Sequence, residues 1–269
     1  MIRNPVVAGQ FYPGTSGSLS KAIENLVDKK RPKEDAIGVV APHAGYIYSG
    51  SVAGEVFSSI KPKNKYIIMG PNHTGMGESF GISTSSAWKT PLGDVRIDRE
   101  LADAILKNSK YIKADEVSNF HEHSIEVQLP FLQFLQKDFE FVPIVISFDA
   151  IDAYRAIGRS IASAVKDLGL QDSVTIVASS DMTHYESQEE AKRKDSIAID
   201  AILKLDEARL VRSVTERGIS MCGYAPTAIM LSAAKELGAK KARLINYATS
   251  GDASGDYSSV VGYAGIIIS

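Results

Sequence analysis

The stretch VVAPHAGYIYSG, residues Val39–Gly50, begins as an apolar strand pattern, stops at Pro42 and continues at once with a histidine, His43. Proline has no backbone N–H to offer a sheet ladder, so we expect the strand to end here and the chain to turn. Gly45 follows two residues after the histidine and leaves room for another group to approach closely. His43 is one of only five histidines in the chain. Its position predicts an imidazole held at the end of a buried strand.

Outward from this stretch, short apolar runs alternate with amphipathic helical patterns. Apolar residues recur with helical spacing from Ile151 to Leu168, for example, and Asp98 is placed as the N-cap of another helix. The predicted strands are Ala36–Ala41, Lys65–Gly70, Phe141–Ser147, Val174–Ser179, Ala242–Thr249 and Ser259–Ile268. Apolar strands separated by helices are typical of a sheet that is covered on both faces. We therefore predict a single α/β domain over residues 1–269, with a central, largely parallel or mixed sheet flanked by helices.

Composition excludes several classes of protein. Lysine and arginine together number 30, and acidic residues number 32. The resulting net charge of −2 gives no excess of positive charge that would attract nucleic acid or an anionic membrane. The single cysteine, Cys222, excludes an internal disulfide and a multi-cysteine zinc site. The N-terminus lacks the apolar core of a signal peptide, and the apolar tail SSVVGYAGIIIS is too short to span a bilayer. We predict a cytoplasmic protein with no nucleic-acid or membrane partner.

Polar side chains follow several of the predicted strands directly. His43 follows the first strand, His73 the second, and both Asp181 and His184 come just after Val174–Ser179. In open α/β sheets, ligands bind beyond the carboxyl ends of the strands. Histidines beyond three separate strand ends therefore favour a common site at one edge of the sheet.

Each of these residues also has a purely structural interpretation. A single histidine beyond a strand is more often a partly exposed loop residue than a ligand. Asp181 is placed to cap a following helix, and Asn72 and Asp252 are common turn residues. His121 and His123, in FHEHSIEVQLPF, fit the ordinary first turn of a helix. The convergence of three histidines, rather than any one of them, favours a functional site.

Metal binding is the chemistry that fits such a convergence. The chain has no G-x-S-x-G elbow, no P-loop and no G-x-G-x-x-G after a strand. Two histidines with a third, anionic ligand form the usual set of non-haem iron sites. The third ligand stays open between Asp181 and Cys222. Cys222 precedes a predicted helix that begins near Tyr224, where the helix N-terminus would lower the thiol pKa, but a small buried apolar role is the alternative.

Seven motifs, in order along the chain, make the sequence resemble the Memo family: NPVVAGQFYP, APHAGYIYSG, GPNHTG, WKTPLGDV, HEHSIEVQLPF, SSDMTHY and MCGYAPT. The resemblance, to proteins of the AmmeMemoRadiSam protein B type, runs from Arg3 nearly to the C-terminus. It implies a fold similar to the class III, LigB-type extradiol dioxygenases. It also implies specific roles: His43, His73 and Cys222 as metal ligands, Asp181 and His184 near the metal, and His123 in the pocket wall.

The same resemblance implies a redox function. The dioxygenases have a carboxylate where this chain has Cys222, and a thiolate is softer and also suits copper(I). We expect iron, with copper as the alternative, and we expect His184 to act as general acid and base, oriented by Asp181, with His123 positioning substrate or oxygen. The other possibility is a non-catalytic module that binds a (phospho)peptide or small molecule. Prokaryotic members of the family imply a radical-SAM protein and an AMMECR-type protein as partners.

Overall fold

The computed structural model describes residues 1–269. The strands are β1 (Ile2–Arg3), β2 (Gly38–Ala41), β3 (Lys65–Pro71), β4 (Phe80–Ile82), β5 (Ala87–Thr90), β6 (Gly93–Ile97), β7 (Lys113–Ala114), β8 (Glu140–Ile146), β9 (Val174–Ser179), β10 (His184–Glu186), β11 (Ala242–Thr249) and β12 (Val260–Ile268). The helices are α1 (Ser16–Glu24), α2 (Tyr46–Ser58), α3 (Arg99–Asn108), α4 (Val117–Phe120), α5 (Leu129–Leu135), α6 (Ile151–Asp167), α7 (Gln188–Leu203), α8 (Glu207–Arg217), α9 (Tyr224–Glu236) and α10 (Gly251–Ser254), with a 3₁₀ turn at Glu126–Gln128.

The strands form one mixed sheet, which confirms the predicted fold class. Its centre is the parallel series β8, β3, β9 and β2, and β12 runs antiparallel beside β2. The predicted strands Val174–Ser179 and Ala242–Thr249 match β9 and β11, and Asp98 caps α3 by accepting a hydrogen bond from Leu101 N. The short strands β4 to β7 were not predicted, because runs of two to five residues carry too little apolar pattern.

Helices cover both faces of the sheet. Along β2, Val40 belongs to the core cluster that includes residues of α3, α6, α7, α8 and α9, whereas Val39 and Ala41 belong to the cluster that includes residues of α1, α2 and α5. This alternation follows from the two-residue period of a strand. None of the helices has the length and apolar character needed to cross a bilayer.

The parallel strands bring the predicted site residues to one edge. Because β2, β3 and β9 point the same way, the loops that leave their carboxyl ends start side by side. The start of α9 is close to these loops because Gly223 lies against β9. A Cβ at Gly223 would come within 2.3 Å of the Ser179 carbonyl oxygen, so only glycine allows this approach. The chain just before α9, which carries Cys222, therefore lies at the same edge.

Candidate metal centre

Three donor side chains meet at this edge of the sheet. The ligand atoms of His43, His73 and Cys222 all lie within 4.8 Å of one another. His43 Nε2 is 3.3 Å from Cys222 Sγ, and the rings of His43 and His73 are 5.1 Å apart, edge to face. The structure thus brings together the three residues that the sequence resemblance implied as metal ligands.

His43 is buried, and its ring nitrogens face different partners. Nδ1 lies 2.9 Å from Ser179 Oγ, and Nε2 faces Cys222. Burial, followed by the neighbouring histidines, holds the pKa of His43 well below its usual value. The imidazole is therefore neutral at pH 7, which is the form that binds metals.

His73 is oriented by a buried carboxylate. Glu122 accepts from the His73 backbone N–H at 2.8 Å, and its other oxygen is 2.9 Å from His73 Nδ1 and accepts from Ser124 N. Burial alone would raise the pKa of Glu122, but the hydrogen bond and charge of His73 outweigh it and hold the pKa at about 2. The carboxylate is therefore ionised. A carboxylate that holds one imidazole nitrogen and leaves the other free is the usual second-sphere partner of a metal-binding histidine.

The Cys222 thiol does not have the lowered pKa that the sequence predicted. Burial of the sulfur, and then the negative charge of Asp181, raise its pKa. Cys222 lies two residues before the first residue of α9, and the helix dipole does not offset these two effects. Its sulfur accepts a hydrogen bond from the backbone N–H of Asp181 at 3.3 Å. The positive charge of a bound metal would favour the thiolate that burial disfavours.

Asp181 lies beside the three donors and is not among the mutually close ligand atoms. One oxygen accepts from the His43 backbone N–H at 2.8 Å, and the other is 4.0 Å from His43 Nε2. Burial raises the pKa of Asp181 to about 6. Asp181 does not cap a helix, since β10 follows it and Ser187 caps α7. Cys222 rather than Asp181 therefore completes the group.

His184 is held by a different partner from the one predicted. Its Nδ1 is 2.9 Å from the Ser220 carbonyl oxygen, and its backbone N–H donates to Ser220 Oγ at 2.7 Å. The expectation that Asp181 accepts the ring N–H is wrong, because that carboxylate is turned toward the backbone of His43. A carbonyl can only accept, so Nδ1 carries the hydrogen and Nε2 is left as the basic nitrogen.

His123 joins the cluster and His121 does not. The His123 ring stacks on His73 with centroids 4.7 Å apart and meets His43 edge-on at 5.6 Å. Phe11 also packs edge-on against His123, with centroids 4.9 Å apart. His121 is exposed and packs against Phe120. His123 therefore lies against both histidines of the candidate metal centre.

Comparison with known proteins agrees with this architecture. The family model described as "Memo-like protein" matches residues 3–267. The chain belongs to the Memo family. A "MEMO1 family protein" of Methanosarcina acetivorans is 46% identical, with 99% of each chain covered. A Memo-family relative of Methanocaldococcus jannaschii, MJ0403, is 42% identical over 99% of each chain. The predicted family is thus confirmed.

A solved structure of low sequence identity has a similar fold. The crystal structure of uncharacterized protein JW3007 from Escherichia coli K12 matches with a TM-score of 0.54 and 12% identity. The match covers 86% of this chain and 98% of that one. At this identity the likeness concerns the fold alone.

Several residues that orient the site in this Memo-family protein were not singled out from its sequence. They are Glu122, Ser124, Gln128, Ser179 and Ser220. Glu122 lies between two histidines in HEHSIE, and Ser179 is the first residue of SSDMTHY. Treating every polar residue of these motifs as a candidate would therefore have included both. Gln128 also lies in one of the motifs, HEHSIEVQLPF, whereas Ser220 lies outside all seven, and its partner His184 is 36 residues away along the chain.

Proposed function

We propose that this Memo-family protein binds one redox-active transition metal ion at His43, His73 and Cys222 and performs redox chemistry on a small-molecule or peptide substrate. Iron is the expected metal and copper the alternative. The observation that carries the proposal is the meeting of three ligand atoms within 4.8 Å, supplied by two strand ends and a helix start.

The donor set fits such a metal. Glu122 and Ser179 occupy the Nδ1 side of the two histidines, so Nε2 is the nitrogen that each would offer to a metal. Burial lowers the pKa of His73, but the hydrogen bond and charge of Glu122 outweigh it and raise the pKa, so metal binding would displace a proton from Nε2 of His73. Two imidazoles with one anionic ligand and open positions suit iron(II), whereas two imidazoles with a thiolate are also the ligands of copper sites. Metal bound here would supply one-electron redox chemistry and polarise a substrate oxygen.

The remaining residues have roles of their own in this proposal. His184 offers Nε2 as the proton acceptor and donor, because the Ser220 carbonyl holds the hydrogen on Nδ1. Asp181 fixes the backbone of His43. His123, stacked on His73, limits where a substrate can lie.

Metal analysis of protein purified without oxygen tests the proposal. We expect about one iron or copper ion per chain under reducing conditions. His43→Ala, His73→Ala and Cys222→Ala should each weaken binding by more than the roughly 10–100-fold typical of losing a second-sphere partner. His121→Ala is the matched control, since that histidine is exposed and outside the cluster. Circular dichroism checks that the variants stay folded.

Two results would count against this assignment. Wild-type affinity in Cys222→Ala would remove the thiolate from the ligand set. Tight binding of zinc alone, with no uptake of iron or copper, would keep the site but remove its redox role.

Exposed aromatic side chains support the second candidate, a metal-independent binding module. Tyr185, next to His184, is 79% exposed, and Phe148 is 64% exposed where it stacks on Tyr224 near the site. Titration of the metal-free protein with O-phosphotyrosine separates the candidates. Binding to the metal-free wild type that survives in His43→Ala and Cys222→Ala would favour the module, whereas no binding to the metal-free wild type would favour the metal centre.

A further inference from the structure

A fully buried hydrogen-bond network lies behind His43. Ser179 Oγ, at the end of β9, is 2.9 Å from His43 Nδ1, 2.7 Å from the Ser124 carbonyl oxygen and 2.8 Å from Gln128 Nε2. Ser124, Gln128 and Ser179 have no exposed surface, so bulk solvent does not supply alternative partners. Every hydrogen in this network must therefore be placed among these few groups.

The carbonyl groups decide where the hydrogens go. Gln128 Nε2 is 2.9 Å from the Pro42 carbonyl oxygen, which can only accept, so the amide nitrogen faces both Pro42 and Ser179. The Ser124 carbonyl also can only accept, so Ser179 donates its single hydrogen to Ser124. The remaining lone pair of Ser179 then faces His43 Nδ1. Nδ1 must carry the hydrogen of the imidazole, because two lone pairs would otherwise repel each other there.

We propose that Ser179 is a positioning residue, which holds His43 in the Nδ1–H tautomer and thereby presents the Nε2 lone pair toward Cys222. The tautomer follows from the hydrogen bonds alone. Its use in holding a metal rests on the function proposed above. Which nitrogen of a histidine binds a metal is set by the hydrogen bond that the other one makes.

The network behind His43 is joined to the one behind His73 through a single residue. The Ser124 carbonyl accepts from Ser179, the partner of His43, and the Ser124 N–H donates to Glu122, the partner of His73. One short segment, residues 122–124, therefore orients both imidazoles. Replacing Ser179 should change the tautomer of His43 and leave the Glu122–His73 hydrogen bond in place.

Nitrogen-15 NMR of the metal-free protein measures the tautomer directly. The chain has only five histidines, so ring signals can be assigned with single histidine variants. In the wild type, we expect His43 to show its hydrogen on Nδ1 alone. In Ser179→Ala, we expect a mixture of tautomers or a shift to Nε2–H. Ser58→Ala is the matched control, because Ser58 is equally buried and its Oγ accepts from Asp28 N, away from the cluster.

Cobalt(II) titration measures the consequence for metal binding. Ser179→Ala should weaken cobalt(II) binding about 10–100-fold, and Ser58→Ala should leave it unchanged. If Ser179→Ala does not fold, Ser179→Cys nearly preserves the volume and offers a weaker hydrogen-bonding group. It should change both readouts in the same direction by a smaller amount.

Three results would overturn the inference: wild-type His43 with its hydrogen on Nε2, an unchanged tautomer in Ser179→Ala, or equal weakening of cobalt(II) binding by Ser58→Ala. A different pattern separates it from the proposed function. If the wild type shows Nδ1–H, Ser179→Ala loses it, and neither protein binds metal, the tautomer assignment stands and the metal function fails.

Discussion

Tyr185, the residue after His184, has a backbone conformation that side chains rarely adopt. Its φ is 60°, and it lies where the register of β10 against β12 shifts between His184 and Glu186. A left-handed conformation costs a non-glycine residue about 1–2 kcal/mol. Bulges of this kind are common next to functional sites, where they redirect a side chain. Here the bulge turns Tyr185 into solvent beside the candidate metal centre.

Replacing Tyr185 with glycine should stabilise the fold. We expect Tyr185→Gly to raise the free energy of unfolding by up to about 1 kcal/mol, because glycine adopts positive φ without strain and the lost side chain is exposed. Thermal unfolding should show a melting temperature about 2–4 °C higher. Tyr185→Ala keeps the Cβ and should give no such gain. Equal melting temperatures for the two variants would mean that the backbone is not strained.

At the scale of elements, α6 and α9 approach closely because of one glycine. A Cβ at Gly158 would lie 2.6 Å from Ser232 Cβ and 2.7 Å from the Ile229 carbonyl oxygen. These distances are too short for real contacts, and the backbone oxygen cannot rotate away. The sequence places Gly158 within an amphipathic helix but does not show which helix it faces.

Gly158→Ala should therefore destabilise the protein although alanine favours helix. We expect a loss of about 1–3 kcal/mol from overpacking between the two helices, measured by urea unfolding. Gly17→Ala is the matched control in α1, where an added Cβ meets nothing within 4 Å. It should gain up to about 1 kcal/mol. Similar effects at both positions would show that α6 and α9 can separate at no cost.

Glu207 joins three helices through two ion pairs. It lies at the start of α8, bonds Arg155 of α6 at 2.9 Å and contacts Lys235 of α9. Burial alone would raise the pKa of Glu207, but the hydrogen bonds from Lys235 and Arg155 outweigh it and lower the pKa. Because this pKa is lower in the folded state, the ionised Glu207 carboxylate contributes its full stabilisation at pH values above its pKa in the unfolded chain. The stabilisation is lost as the pH falls through the pKa of Glu207 in the folded protein.

Glu207→Gln should remove this pH dependence. At pH 7 we expect a loss of about 1.5–3 kcal/mol, typical of hydrogen bonds to a charged group. The difference from wild type should shrink below pH 4.5, the ordinary value of the carboxyl group. Urea unfolding from pH 7 to about pH 3 measures both effects. Glu190→Gln, which breaks an exposed pair with Arg193, should change little, and a constant difference for Glu207→Gln across this range would refute the assignment.

At the scale of the whole molecule, the N-terminus is fastened to the segment that carries the site. Arg3 of β1 pairs with Glu126 at 2.7 Å, with both side chains buried, and donates to the backbone oxygens of Asn119 and Glu122 at 2.8 and 2.5 Å. Its guanidinium also lies 4.0 Å above the ring of Trp88. Arg3 thus ties the N-terminal strand β1 to the segment that ends at Glu126, near the middle of the chain.

Breaking this pair should be costly because it leaves the buried Glu126 carboxylate without its cationic partner, with only the backbone N–H groups of Val6 and Val7 and the Tyr12 hydroxyl still donating to it. We expect Arg3→Met to lower the free energy of unfolding by about 3–5 kcal/mol. Adding Glu126→Gln to Arg3→Met should recover part of that loss, since the buried negative charge that lost its cationic partner is then removed. Urea unfolding of the two single variants and the double variant measures the coupling. Strictly additive losses would show that Arg3 acts through packing on Trp88 rather than through Glu126.

Much of this architecture could be predicted from local patterns. The long apolar strands were recognisable because a strand buried on both faces has an almost continuous apolar run, as in β2. His43, His73 and Asp181 could be placed at one edge because they follow parallel strands. The small strands β4 to β7 and the bulge at Tyr185 could not, because partners from elsewhere in the fold decide them.

The sequence by itself determined the family, the α/β class and the edge of the sheet where the histidines gather. Only the tertiary structure decided how those side chains are held and charged. His43 meets Ser179 across 136 residues and Cys222 across 179, and His184 turned out to bond Ser220 instead of Asp181. Hydrogen-bond partners and desolvation depend on which atoms surround a group in space. For that reason the thiol pKa of Cys222, raised by burial and by Asp181, could not be read from its place before a helix.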